Sequence, residues 1–135
     1  MAGRSSSTKP CPAQGFLITA TAAIIVSGTG AAFLTFNDYD NSFDGCEFWN
    51  CGTGIYDMKG NFYARNCHFE ESRVSDIQSY CEHGSSVRRC TSLNSNRFIE
   101  HYNIVSVLTV EGCTIQSWHD PRGAIQVGGA PVMLF

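Results

Sequence analysis

Short alternations of apolar and polar residues run along most of the chain, and they return at a nearly constant interval. Cys46, Cys67, Cys90 and Cys113 are separated by 21, 23 and 23 residues. Their context returns with them, as Phe43-Asp44-Gly45-Cys46-Glu47-Phe48, Ala64-Arg65-Asn66-Cys67-His68-Phe69, Val87-Arg88-Arg89-Cys90-Thr91-Ser92 and Val110-Glu111-Gly112-Cys113-Thr114-Ile115. An apolar residue stands three before each cysteine, and an apolar or small one two after it. The two residues directly before it are polar or small. That spacing predicts a strand, a tight bend and a second strand, with each cysteine as the first inward side chain after the bend. No window sustains a helical period.

A further strand follows in each unit. Ile55-Tyr56-Asp57-Met58 aligns with Ser75-Asp76-Ile77, Ile99-Glu100-His101 and Ile125-Gln126-Val127, and Gly or polar clusters separate it from the strand before. A period near 22 residues with two or three short strands predicts an all-β solenoid, whose coils stack about 4.8 Å apart through parallel ladders. Leucine-rich repeats share the period, but their spaced leucines are absent. Stacking turns equivalent residues into columns. The cysteines form one inward column, and Phe48, Phe69 and Ile115 another. Cysteine packs there as a small hydrophobe, so reduced thiols are expected, although stacked neighbours and Cys46 with Cys51 lie within disulfide range.

The N-terminal run has two readings. Arg4 and Lys9 precede an uncharged stretch from Pro10 to Asn37, and Phe16 to Val26 has the length of a signal-peptide core. The preferred reading is a coil. Ala23-Ile24-Ile25-Val26, a Gly turn and Phe33 to Phe36 resemble Ala124-Ile125-Gln126-Val127, a Gly turn and Val132 to Phe135. The expected organisation is a tail over 1–15 and coils over 16–135. No membrane-spanning segment is expected.

Bends such as Asn66-Cys67-His68-Phe69 resemble the right-handed parallel β-helix repeats of the pectin-lyase-like superfamily over roughly residues 23 to 135. The resemblance implies a right-handed parallel β-helix with coils of about 21 to 23 residues. Lyases, glycoside hydrolases, epimerases, phage tailspikes and surface adhesins share that superfamily, so the fold alone does not choose an activity. Its domains are generally longer than this chain, and the apolar end Val132 to Phe135 leaves a strand edge open. A truncated domain is therefore expected, its edge covered by a continuing β-helix or by another subunit in a homo-oligomer. The implied function is binding or cleaving a polysaccharide. The alternatives are a non-catalytic structural or adhesive β-helix, such as a segment of a tailspike or surface protein, and a fragment without activity. An extracellular or cell-surface location follows from these, with the cytoplasm left open.

Composition narrows the partners. The net charge is −3 and only 16% of residues are charged, with Arg88-Arg89 the one adjacent basic pair, so nucleic acid is not expected. An acidic polysaccharide would need local basic residues or a bound cation. If Met58, Ile77, His101 and Val127 point inward, Asp57, Asp76 and Glu100 stack outward with Gln126. That acid column suits acid–base work or a calcium clamp, with Tyr56, His101 and Tyr102 beside it. The alternative is a set of solvated strand residues. Arg65 and Arg88 stand two before stacked cysteines and should be neighbours. By the same resemblance they suit an acidic sugar, or they pair with Glu47, Glu70 or Glu111. Arg73, Arg89, Arg97 and Arg122 complete the basic set. Trp118-His119-Asp120 offers a sugar platform, with His119 a second acid–base candidate. Cys67-His68 and Cys81-Glu82-His83 mix ligand types without a Cys-x-x-Cys pair, so neither a metal centre nor a cofactor is expected beyond calcium. Phosphate-loop, dinucleotide and nucleophile-elbow motifs are absent, as are Asn-linked glycosylation sites.

Overall fold

The computed structural model describes residues 19–21, 23–26, 30–102, 106–128 and 132–135. The tail expected over 1–15 lies outside them. The first coil comprises β1 (Thr19–Thr21), β2 (Ile24–Val26) and β3 (Ala31–Phe36), and the second β4 (Asn41–Asp44), β5 (Glu47–Trp49) and β6 (Thr53–Met58). The third runs through β7 (Phe62–Arg65), β8 (His68–Glu70) and β9 (Ser75–Tyr80), and the fourth through β10 (Ser85–Arg88), β11 (Thr91–Leu93) and β12 (Ile99–His101). The fifth holds β13 (Leu108–Glu111), β14 (Thr114–Gln116) and β15 (Ile125–Val127), and β16 (Val132–Leu134) follows. Like strands pair in parallel into three sheets. Sheet 1 is β1-β4-β7-β10-β13-β16, sheet 2 is β2-β5-β8-β11-β14, and sheet 3 is β3-β6-β9-β12-β15. The chain is a parallel β-solenoid of about five coils.

The register of sheet 2 pairs Glu47 with His68, His68 with Thr91 and Thr91 with Thr114. The preceding cysteines therefore form one file, as expected. Cys46, Cys67 and Cys90 are buried, Cys113 is half-buried, and all four are free thiols, as are Cys51 and Cys81. Cys46 Sγ donates to Ala20 O at 3.4 Å, and Cys67 Sγ to Phe43 O at 3.6 Å. Each thus reaches the coil below. The two-residue spacer before each cysteine supplies the bend. Gly45, Asn66, Arg89 and Gly112 all adopt left-handed φ, between 51° and 66°. Asn50, Glu71, Asn94 and Ser117 do so at the next corner, between 53° and 59°. One left-handed residue turns the chain sharply, which favours Gly and Asn at these places.

The core is an aromatic file flanked by aliphatics. Phe48 and Phe69 stack at 4.7 Å and 8°, and Phe33 and Phe98 close on them at 6.1 and 6.3 Å. Fully burying one such ring contributes about 1.5–3 kcal/mol. Ser92 follows Phe69 in this column, and its small side chain leaves room for Asp76.

In the described part of the N-terminal run, Ile24–Val26 is a strand of the first coil, with Ile25 buried and paired with Phe48. The similarity between the two chain regions marks no equivalent position, however. Ile24–Val26 belongs to sheet 2 and Ile125–Val127 to sheet 3. Apolar alternation is shared by all three sheets, so it identifies strands without identifying which sheet they join.

Gly60 locks two successive corners together. A Cβ built there would stand 1.8 Å from Asp38 O, whereas one at Gly84 would meet nothing within 4 Å. Gly60→Ala is therefore expected to cost about 3 kcal/mol or more, because backbone must move, and Gly84→Ala about 0.5 kcal/mol or less. Urea unfolding of the two variants beside the parent checks the contrast.

Candidate functional site

The acids expected in an outward column occupy three different positions. Asp57 pairs in register with Thr35 and Ser79, and Ser79 with His101, all facing the interior. Glu100 pairs with Gln78 on the opposite face. Asp76 enters the interior at the corner between sheets 2 and 3. The expectation that Met58, Ile77 and His101 form one inward column is corrected by the isoleucines. Ile55, Ile77, Ile99 and Ile125 stack on one another, and this apolar column sets the register. Met58 then faces outward beside Tyr80, and Asp57 faces inward.

Each acid has its own surroundings. Asp76 is fully buried and accepts hydroxyl hydrogen bonds from Ser95 at 2.6 Å and from Ser92. Burial nevertheless pushes its carboxyl up from 3.8 to about 6, against the pull of the serines. Asp57 accepts from Thr35 Oγ1 at 2.7 Å, and burial raises it to about 6 as well. Glu100 is paired with the buried Arg97, which also holds Asp120. Asp120 binds Arg122 too, and these guanidiniums hold its carboxyl below the usual range. This network pins the corner at 117–123 over sheet 3. His101 is fully buried, with Nδ1 3.0 Å from Ser79 Oγ and 4.0 Å from Cys81 Sγ. Burial pushes its imidazole pKa down. Asp57, Asp76 and His101 therefore face the inside of the coil, out of contact with a polymer lying along its surface.

The aromatic candidates divide. Tyr56, Tyr80 and Tyr102 form a ladder on the outer face of sheet 3, with centroids 5.8 and 5.4 Å apart and planes within 20° and 32°. Their faces largely cover one another, so the ladder ties coils together. Trp118 stands apart at its corner, 50% exposed. His119 Nε2 lies 3.0 Å from Asn94 O, an anchor for the same corner.

Arg65 and Arg88 are neighbours, as expected, and Arg88 pairs with Glu111, but Arg65 pairs with Asp44 instead of Glu47 or Glu70. In sheet 1, Asp44 pairs with Arg65, Arg65 with Arg88 and Arg88 with Glu111. Arg65 Nε meets Asp44 at 3.2 Å, and Arg88 Nε meets Glu111 at 3.3 Å. Each guanidinium is thus paired with an acid on the strand away from the other arginine. Beside them lies a surface groove of about 210 Å³, lined by Ser42, Tyr63, Ala64, Arg65, Ser86 and Arg88. The phenol of Tyr63 is held by Asp40 at 3.2 Å and Asn61 at 2.9 Å. Sequence reasoning missed Ser42, Tyr63 and Ser86. Counting four residues back from each stacked cysteine finds all three, since they share one register row. It also missed an outer patch on sheet 2. There Trp49 Nε1 donates to Glu47 at 3.1 Å, and His68 Nε2 lies 2.9 Å from Glu70.

Comparison with known proteins finds no matching family model, curated protein or solved structure.

The buried Asp76 carries a pH dependence of known sign. Its folded value lies above the unfolded one, so the native state binds the proton more tightly. The resulting stability is full below about pH 4 and is lost as pH rises to about 6, amounting to ~3 kcal/mol. Asp76→Asn cannot titrate there. Relative to the parent, it should gain about that much stability between pH 4 and 7, measured by urea titrations at each pH. A constant difference between the two proteins would mean that Asp76 keeps its ordinary acidity.

Proposed function

We propose that this β-solenoid is a non-catalytic carbohydrate-binding domain that holds an acidic polysaccharide on the outer face of sheet 1. The observation that carries the reading is the pair of arginines on adjacent strands beside an open groove. Two like charges on adjacent strands repel, and a carboxylate or sulfate between them relieves that repulsion while accepting charge-assisted hydrogen bonds. Tyr63 offers a ring edge to a sugar, and the Ser42 and Ser86 hydroxyls offer both donors and acceptors. Binding is favoured over cleavage because Asp57, Asp76 and His101, the expected acid–base groups, point into the coil. The stacked coils and the Asn/Gly/Arg-Cys bends support kinship with pectin-lyase-like right-handed β-helices, and an adhesive role outside the cell fits that kinship.

The test compares a polyuronate with a neutral glucan by titration calorimetry. Charge-assisted hydrogen bonds contribute about 1.5–3 kcal/mol each, so Arg65→Ala with Arg88→Ala should weaken polyuronate binding about 100-fold. Raising the salt should weaken the parent in the same direction. No new reducing or unsaturated chain ends should appear on incubation. Equal polyuronate binding by the double variant and the parent would remove the groove from consideration.

A further inference from the structure

The cysteine file sets four free thiols one coil apart. Backbone bonds close each step of it. His68 N donates to Cys46 O at 2.9 Å, Thr91 N to Cys67 O at 2.9 Å and Thr114 N to Cys90 O at 3.0 Å. The ladder spacing of ~4.8 Å falls within the Cα separation of a disulfide, about 4.4–6.8 Å. The four thiols differ in access. Cys46, Cys67 and Cys90 are 0%, 2% and 1% exposed, whereas Cys113 is half-buried. A reagent in solution therefore meets Cys113 first.

Cys113 also reaches toward its neighbour. Its Sγ stands 3.6 Å from Val87 O, a carbonyl of the fourth coil. Cys90 Sγ stands 3.4 Å from Arg88 O, the next carbonyl along β10. The two sulfurs thus rest on consecutive carbonyls of one strand. The Cys90 thiol donates to the Cys113 sulfur, and this contact holds the Cys113 thiol down to about 7 while pushing Cys90 up. The outer thiol is the readier to ionise, and the thiolate is the nucleophile in disulfide exchange. The bends before the two cysteines lie outside the ladder, with Arg89 and Gly112 left-handed at 51° and 62°. The approach that a sulfur–sulfur bond requires is taken up there, without shifting a strand.

We propose that Cys113 and Cys90 are a nucleophile and a resolving thiol, which a disulfide-class oxidant closes into a cross-link between the fourth and fifth coils. The Cys113 thiolate attacks one sulfur of the oxidant RSSR, forming a mixed disulfide and releasing one thiolate. Cys90 then loses its proton and attacks the Cys113 sulfur. The Cys90–Cys113 bond forms, and the second RS group leaves. Two protein thiols have lost two electrons and two protons, and RSSR has become two RSH. The cysteines are 23 residues apart, so the bond closes one coil into a loop. It ties the fifth coil, whose Ile115 and Ile125 are only partly buried, to the closed core below. The cross-link stands independently of the glycan reading, although oxidising surroundings outside the cell would favour it.

The full chain is reduced, freed of reductant, incubated with excess oxidised glutathione, then denatured and alkylated for peptide mass mapping. One cross-linked peptide pair should join Cys90 to Cys113. Cys90→Ser should stop at the mixed disulfide, with one glutathione on Cys113. Cys113→Ser should leave Cys90 alkylated. The oxidised parent should melt about 5–15 °C above the same protein in dithiothreitol, and both Ser variants should lose that difference. A parent whose Cys90 and Cys113 are both still alkylated overturns the proposal, as does any other partner for Cys113. So does a Cys90→Ser protein that takes no glutathione, because Cys113 is then out of reach of the oxidant.

Discussion

The parallel backbone ladder between coils is the constraint from which the rest of the molecule follows. It places each residue about 4.8 Å from its equivalents above and below, so side chains are arranged in files. A file is stable only if its members tolerate like neighbours. Phenylalanine rings do so by stacking, and isoleucines by ordinary packing. Cysteine does so by being small and by giving its weak donor to a carbonyl of the coil below. Charged files need alternation. Asp44, Arg65, Arg88 and Glu111 nearly achieve it, and the one place where like charge meets like is where the groove lies.

Corners absorb what the ladder cannot. Sheet 3 advances by 22 residues three times and then by 26, through Phe33, Ile55, Ile77, Ile99 and Ile125. The extra residues enter the corner at 117–123, outside the ladder, where Arg97 and Arg122 clamp Asp120. Left-handed residues at the tight corners let the chain turn without spending a strand position. Where a corner has no room even for a methyl group, as at Gly60, the neighbouring coil sits directly against it.

This division explains what could be read in the sequence. The cysteine file was legible because an inward apolar position with a fixed two-residue spacer recurs almost unchanged. Arg65 and Arg88 were legible as neighbours because they are counted from that file. The acids were misread because each strand of sheet 3 has inward positions two apart, Ile55 and Asp57, Ile77 and Ser79, Ile99 and His101. Setting Met58 and His101 against Ile77 slips the register by three and by two residues, and an odd slip exchanges the faces. Only the isoleucine column across four coils removes the ambiguity. The assumption that acids face solvent then carried Asp57 and Asp76 to the wrong side. The serines that receive Asp76 come from other strands and corners, at separations of 16 and 19 residues, a relation that periodicity does not encode.

The interior acids have a further physical meaning. A solenoid core is thin, and a polar group within it must be met by the next coil, by a corner or by something bound. Asp76 shows the corner solution, with Ser92 yielding the space that a phenylalanine occupies one coil below. His101 shows the next-coil solution through Ser79. Asp57 shows the next-coil solution too, through the Thr35 hydroxyl. Replacing Asp57 with a residue such as Val would fill the file with fewer unmet groups, so stacking alone does not call for a carboxylate there. The Thr35 hydroxyl of the coil below does, since it donates to Asp57 Oδ1 at 2.7 Å.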